Sequence, residues 1–167
     1  MTMLLFIMAS LVVTGPALLR GETLGGTDIL QVTSPYRETL DTQPRLGNPL
    51  QTDQLEQIPL VATFWRSLRQ GDVQLWDSSV GMGIPLGAAT HNRVLAPWNV
   101  VLLFADAAVG ITLSTALAMV CGMWGTYLLA RRVGIGVAGS RLAAVVYALS
   151  GPAQVAILRI HEVMLFP

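Results

Sequence analysis

Asp53-Gln-Leu-Glu56 sets two carboxylates three residues apart, and Arg66, Arg69, His91 and Arg93 follow within the next forty positions. A carboxylate can take the proton of an attacking hydroxyl, provided burial or a like-charged neighbour such as Glu56 raises its basicity. A guanidinium grips phosphate oxygens in a planar fork, so Arg66, Arg69 and Arg93 are candidates to hold a departing phosphate, with His91 beside them. Each group also has a plain structural reading. Asp53-x-x-Glu56 has the form of a capping box, in which both acids tie down backbone donors at a helix start. Arg66 and Arg69 fall where a helix ends and serve its dipole or lipid headgroups equally well. Arg93 stands beside His91 and Asn92 and ahead of Pro97-Trp98, away from such an end, which makes it the better candidate. A lone His is most often a surface residue, although His91 could titrate or hold a metal. No His, Asp and Glu occur at metal-ligand spacing, and no Walker, Rossmann, catalytic-triad or EF-hand pattern is present.

These residues belong to a chain of 167 residues that is 53% hydrophobic and only 12% charged. A soluble domain carries about 25% charge, so an ordinary soluble enzyme is excluded. The ten bases are all Arg and balance ten acids, which leaves no net field to gather nucleic acid. The mean hydropathy of +0.58 points to a membrane protein whose first partner is the lipid bilayer. The single Cys121 permits neither an internal disulfide nor a thiolate zinc site.

Three apolar stretches predict an all-α integral membrane protein with three transmembrane helices. The first span covers 1–19, with 17 uncharged residues from Met3 to Leu19. A cleaved signal peptide competes with it, but no Arg precedes the apolar run and no A-x-A-like site follows, which favours a retained span. The second, 107–130, has 24 uncharged residues and Gly110, Gly122 and Gly125 for close helix contact. The third, 142–158, contains Ser150-Gly-Pro152, where proline breaks or bends a helix. In lipid the freed carbonyls need partners, which argues for further helices around it. A turn at 131–141 with Arg131, Arg132 and Arg141 belongs in the cytoplasm, so 20–106 lies outside. Arg159, His161 and Glu162 then emerge at the outer end, 159–167, and the chain reads as a fragment of a larger bundle.

The outer segment is too long to lack structure. Pro35, Pro44 and Pro49 exclude a long helix before Leu50. Leu55, Ile58, Val61, Phe64, Trp65 and Leu68 recur every three or four residues, predicting an amphipathic helix over about 53–70 that Gly71 stops. Pro59 should bend that helix or start it. Phe64 and Trp65 suit the headgroup layer, which lays the helix along the outer membrane surface. A short interfacial helix is expected over about 96–105, separate from the span because a single rod would bury Asp106.

The ordered set Asp53, Pro59, Arg66-Ser-Leu-Arg-Gln-Gly71, Leu75-Trp-Asp77, Gly83-Ile-Pro-Leu86 and Pro97 before a span resembles the first outer loop of the YfhO-like multi-pass membrane proteins. Those proteins are grouped with glycosyltransferases of the GT-C fold. Gly122 with Tyr127-Leu-Leu-Ala-Arg131 and Gly134, then Tyr147-Ala-Leu-Ser-Gly151, continue the likeness, which covers roughly Asn48 to Pro167. The resemblance implies a polytopic enzyme of the bacterial inner or plasma membrane. It would transfer a sugar from a polyprenyl-phosphate carrier to a cell-envelope glycan or lipid on the extracytoplasmic side. It also implies that an acid of the first outer loop acts as catalytic base or as partner of a divalent metal. Asp53 stands at the matching place, while the extra residues from Gly21 to Leu50 add Asp28 as an alternative. A transporter or flippase of lipid-linked sugars and a non-catalytic membrane scaffold are the competing expectations.

Overall fold

The computed structural model describes residues 1–24, 51–78, 82–86 and 94–158, with the side chains of 51–57 and 155–158 set apart. The described residues are mostly helical. Helix α1 spans Thr2–Arg20, α2 Gln51–Arg69, α3 Ala107–Arg132, α4 Val137–Leu149 and α5 Gly151–Leu158. A two-stranded hairpin, β1 Trp76–Asp77 with β2 Ile84–Pro85, and a 3-10 helix over Pro97–Leu103 lie between α2 and α3.

Helices α1 and α3 have the length and composition to cross a bilayer. At 1.5 Å per residue, α1 is about 28 Å long and α3 about 39 Å, against a hydrocarbon layer of about 30 Å. Neither is a covered core helix: only 17% of the most apolar window of α1 and 44% of that of α3 are buried. Leu4, Met8, Val12, Leu129, Leu142 and Val146 stay more than half exposed, so the helices keep apolar side chains uncovered.

The two helices run antiparallel. Phe6 meets Trp124 and Tyr127 edge to face, Ser10 Oγ donates to Ala116 O at 3.1 Å, and the end of α1 reaches Thr112. Thr112 Oγ1 accepts from Leu24 N at 2.9 Å and donates to Glu22 O at 3.0 Å. Gly21 closes α1 in the left-handed region, φ 67°, with Gly21 N donating to Leu18 O and Glu22 N to Ala17 O. That is a Schellman-type stop, which needs a residue without Cβ strain. Phe6, Met119, Val120, Met123, Ala144 and Ala148 form one core. The alanines of α4 let its backbone approach α3 closely. Phe6 is fully buried there, so α1 is a packed member of the helical assembly.

The third apolar stretch departs from expectation. It starts at Val137, so the turn shrinks from 131–141 to 133–136, and it is divided between α4 and α5. The 13 residues of α4 rise about 20 Å, too few to cross alone. Pro152 does not interrupt a helix. The break falls at Ser150, extended at ψ 150°, and Pro152 occupies the first turn of α5, where its missing N–H costs nothing. The freed carbonyls find partners within the chain: Gln154 Nε2 donates to Ala148 O at 2.7 Å and Ser150 Oγ to Tyr147 O at 2.7 Å. Both of these carbonyls are satisfied within the chain.

Helix α2 begins at Gln51, two residues ahead of the expected start, and runs through Pro59. Pro59 lies on the exposed face, where a carbonyl released from the helix ladder can be solvated. Asp106 precedes α3 at an exposed junction, as the separation of the short helix from the long one required.

Thr112→Val keeps the side-chain shape but leaves Leu24 N–H and Glu22 O without this partner. Thermal unfolding in detergent should show a loss of about 1–3 kcal/mol, with Thr112→Ser close to the parent. An unchanged midpoint for the valine variant would show that the joint contributes nothing.

Candidate functional site

The segment from α2 to the start of α3 forms a second core. Leu60, Val61, Phe64 and Trp65 fall on one face of α2 because they recur at helical spacing, and all four are buried. They pack on Leu86 after β2, on Val94, on Leu102 of the 3-10 helix and on Ile111 of α3. A polar chain threads this apolar cluster. Trp65 Nε1 donates to Val94 O at 2.7 Å, Asn99 Nδ2 donates to the same carbonyl at 3.3 Å, and Ser114 Oγ donates to Asn99 Oδ1. Unpaired, these groups would each cost one to several kcal/mol in such surroundings. Paired, they lock α2, the 3-10 helix and α3 together.

Seating of Phe64 and Trp65 in the headgroup layer is therefore corrected. Their side chains are 2% and 8% exposed, and the indole N–H is spent on a protein carbonyl instead of water or lipid. An amphipathic face at this spacing meets either lipid or protein, and here the 3-10 helix and α3 supply protein.

The hairpin edges this core. Trp76 pairs with Pro85 and Asp77 with Ile84, and Leu86 N donates to Leu75 O at 2.8 Å. Gly83 sits at φ 98°, and a Cβ there would collide with the Trp76 indole. Asp77 is a buried carboxylate, 5% exposed, at a position that residue spacing alone did not single out. Asn99, Thr112 and Ser114 were missed as well. Their signal is a hydrogen-bonding side chain set inside an otherwise apolar run.

The expected site residues are distributed as follows. Asp53 and Glu56 lie in the first turns of α2, and because the helix starts at Gln51, Asp53 is inside the helix and not at the position preceding it. That register does not match a capping box with Asp53 as its first member. An acid in a first turn remains favoured by the helix dipole. Arg66 and Arg69 close the same helix and are exposed. Asp53 and Arg66 stand thirteen positions apart along the helix, a rise of about 20 Å, beyond what the two side chains can bridge to one reacting bond. Helix α2 thus holds the proposed base and these two arginines at opposite ends. Asp28, His91 and Arg93 lie outside the described residues, as do Arg159, His161 and Glu162. Val94, next in sequence to Arg93, is fixed by the Trp65 and Asn99 hydrogen bonds. Among the described residues no three His, Cys, Asp or Glu come together as a metal-binding group.

No protein family, no curated protein and no solved structure matches the chain.

Trp65→Phe keeps an aromatic ring but leaves Val94 O with only the longer Asn99 bond, and unfolding in detergent should register about 1 kcal/mol of destabilisation. Trp65→Ala also opens a cavity and should cost about 3–5 kcal/mol. The fluorescence that Trp65→Phe removes should be insensitive to headgroup-labelled lipid, whereas strong quenching would return this residue to the membrane surface. Gly83→Ala meets both a positive φ and the Trp76 ring and should destabilise the hairpin by more than about 1 kcal/mol, read as faster local amide exchange at 75–86.

Proposed function

We propose that this chain is a multi-pass membrane protein forming the N-terminal part of a GT-C-like, YfhO-like glycosyltransferase. It takes a sugar from a polyprenyl-phosphate carrier and delivers it to a glycan or lipid acceptor on the extracytoplasmic side. Segregation of the two ends of the antiparallel helices carries this reading. Arg131, Arg132 and Arg141 gather at one end with the start of α1, which suits the cytoplasmic leaflet. The 51–106 module, with Asp53 on α2, is locked to the opposite end of α3 through Trp65, Asn99 and Ser114. Three spans follow if α4 and α5 together complete the third crossing.

In the proposed reaction Asp53 takes the proton of the acceptor hydroxyl. The hydroxyl oxygen then bonds to the anomeric carbon of the donor sugar, and the lipid phosphate leaves with the electron pair of the broken C–O bond. Arg93 and His91 are the proposed partners of that phosphate, since Arg66 and Arg69 stand at the far end of α2 from Asp53. Asp28 remains the alternative base, and a divalent metal would serve the phosphate where the acid acts as its ligand. A path for lipid-linked sugars is the second reading. It is motivated by the break at Ser150, which divides the third apolar stretch into two short helices.

Asp53→Asn should lower transfer of labelled sugar from the polyprenyl carrier by about 100-fold or more, the usual weight of a general base. Asp28→Asn should leave it near the parent rate. Transfer untouched by Asp53→Asn, with flipping of the labelled lipid retained, would replace the enzyme by the transporter, and loss of neither would leave a scaffold. A cysteine placed at exposed Gln70, with Cys121 changed to Ser, should react with an impermeant maleimide in intact cells. Reaction only after permeabilisation would put the module in the cytosol and end the sugar-transfer reading.

A further inference from the structure

Three arginines share the rim of the helical assembly remote from the 51–106 module. Arg131 and Arg132 close α3, and Arg141 stands one turn inside α4, across the short connection 133–136. Arg131 Nη1 donates to Ile135 O at 2.8 Å, and Arg141 Nε donates to Thr2 Oγ1 at 3.0 Å, which brings α1 to the same rim. Both partners are neutral. The sequence has no Asp or Glu before Glu22 and none between Asp106 and Glu162, so these helices provide no carboxylate for the three guanidiniums. The dipole of α3 favours Arg131 and Arg132, but Arg141 faces the positive end of α4 and gains nothing from it.

Just inside the rim the surface turns apolar. Leu4, Leu5, Leu128, Leu129 and Leu142 are exposed, and the Trp124 and Tyr127 rings stack 5.5 Å apart beside them. A fixed positive charge above an apolar band matches a molecule with an anionic head and hydrocarbon chains. A soluble anion would use the charge and leave the band wet. We infer that this rim is a binding surface for anionic phospholipid headgroups, of the leaflet opposite the 51–106 module, with their acyl chains against the α1, α3 and α4 side chains. The inference rests on the membrane reading above and adds a specific lipid partner to it.

The full chain would be reconstituted in phosphatidylcholine vesicles carrying trace spin-labelled phosphatidylglycerol or spin-labelled phosphatidylcholine, and the motionally restricted fraction of each label compared. Phosphatidylglycerol should be preferred by up to about fivefold per arginine engaged at low salt. Added sodium chloride should weaken the preference. R131Q/R132Q/R141Q should bring the two labels towards parity, while R131K/R132K/R141K, which preserves charge, should retain selectivity and controls for folding. Equal restriction of both labels by the parent chain, or selectivity unchanged in the glutamine variant, overturns the inference. Loss of selectivity on adding millimolar inorganic phosphate, at matched ionic strength, would assign the rim to a soluble anion and overturn it too. Extraction of the parent chain by alkaline carbonate would instead overturn the membrane reading itself, a result distinguishable from integration without lipid preference.

Discussion

Polar side chains placed where water does not reach have to find partners inside the protein, and that requirement governs how this chain is assembled. Ser10, Thr14, Asn99, Thr112 and Ser114 are all buried. Ser10 joins α1 to α3, Thr112 holds the residues that leave α1, and Ser114 with Asn99 holds the 3-10 helix. Thr14 turns back on Ser10 O within its own helix. Apolar packing between helices is weakly directional in a lipid-like setting, so these few hydrogen bonds decide which face meets which. A hydroxyl paired to a neighbouring helix is worth a modest amount, but stranding it costs more, and the asymmetry selects a single register.

The same requirement explains why α2 turns inward. Its apolar face carries Trp65, whose N–H would be hard to satisfy against hydrocarbon, and Val94 O is offered by the adjoining segment. Once α2 is seated, Asp53 and Glu56 are set at its beginning and Arg66 and Arg69 at its end, and a rigid helix keeps them apart. Any phosphate partner for an acid at the start of α2 has to come from another element, which focuses attention on the segment that leads into Val94.

Charge is distributed with equal economy. The helices α1, α3, α4 and α5 carry no carboxylate, and their bases lie at Arg20 or on the rim formed by Arg131, Arg132 and Arg141. The acids are concentrated in the segment between α1 and α3. An antiparallel α1 and α3 then sets Arg131, Arg132 and Arg141 at the end of the helices remote from α2, which composition cannot do by itself.

Apolar length, the stop at Gly71 and the three- and four-residue spacing in α2 determined by themselves that this protein is helical, that α1 and α3 are long and apolar, and nearly where α1, α2 and α3 begin. Those features are local: a hydrogen-bond ladder and an uncharged run depend on neighbours within a few positions. Tertiary structure alone decided that Phe64 and Trp65 meet protein, that the third apolar stretch divides at Ser150 with Gln154 closing the gap, and that Asp77 is buried. It also decided that Arg141 reaches Thr2 across the chain. An amphipathic face states that it must be covered but not by what, and a proline states that a ladder must stop but not which donor takes the freed carbonyl. Both answers belong to residues distant in sequence, and only the folded arrangement supplies them.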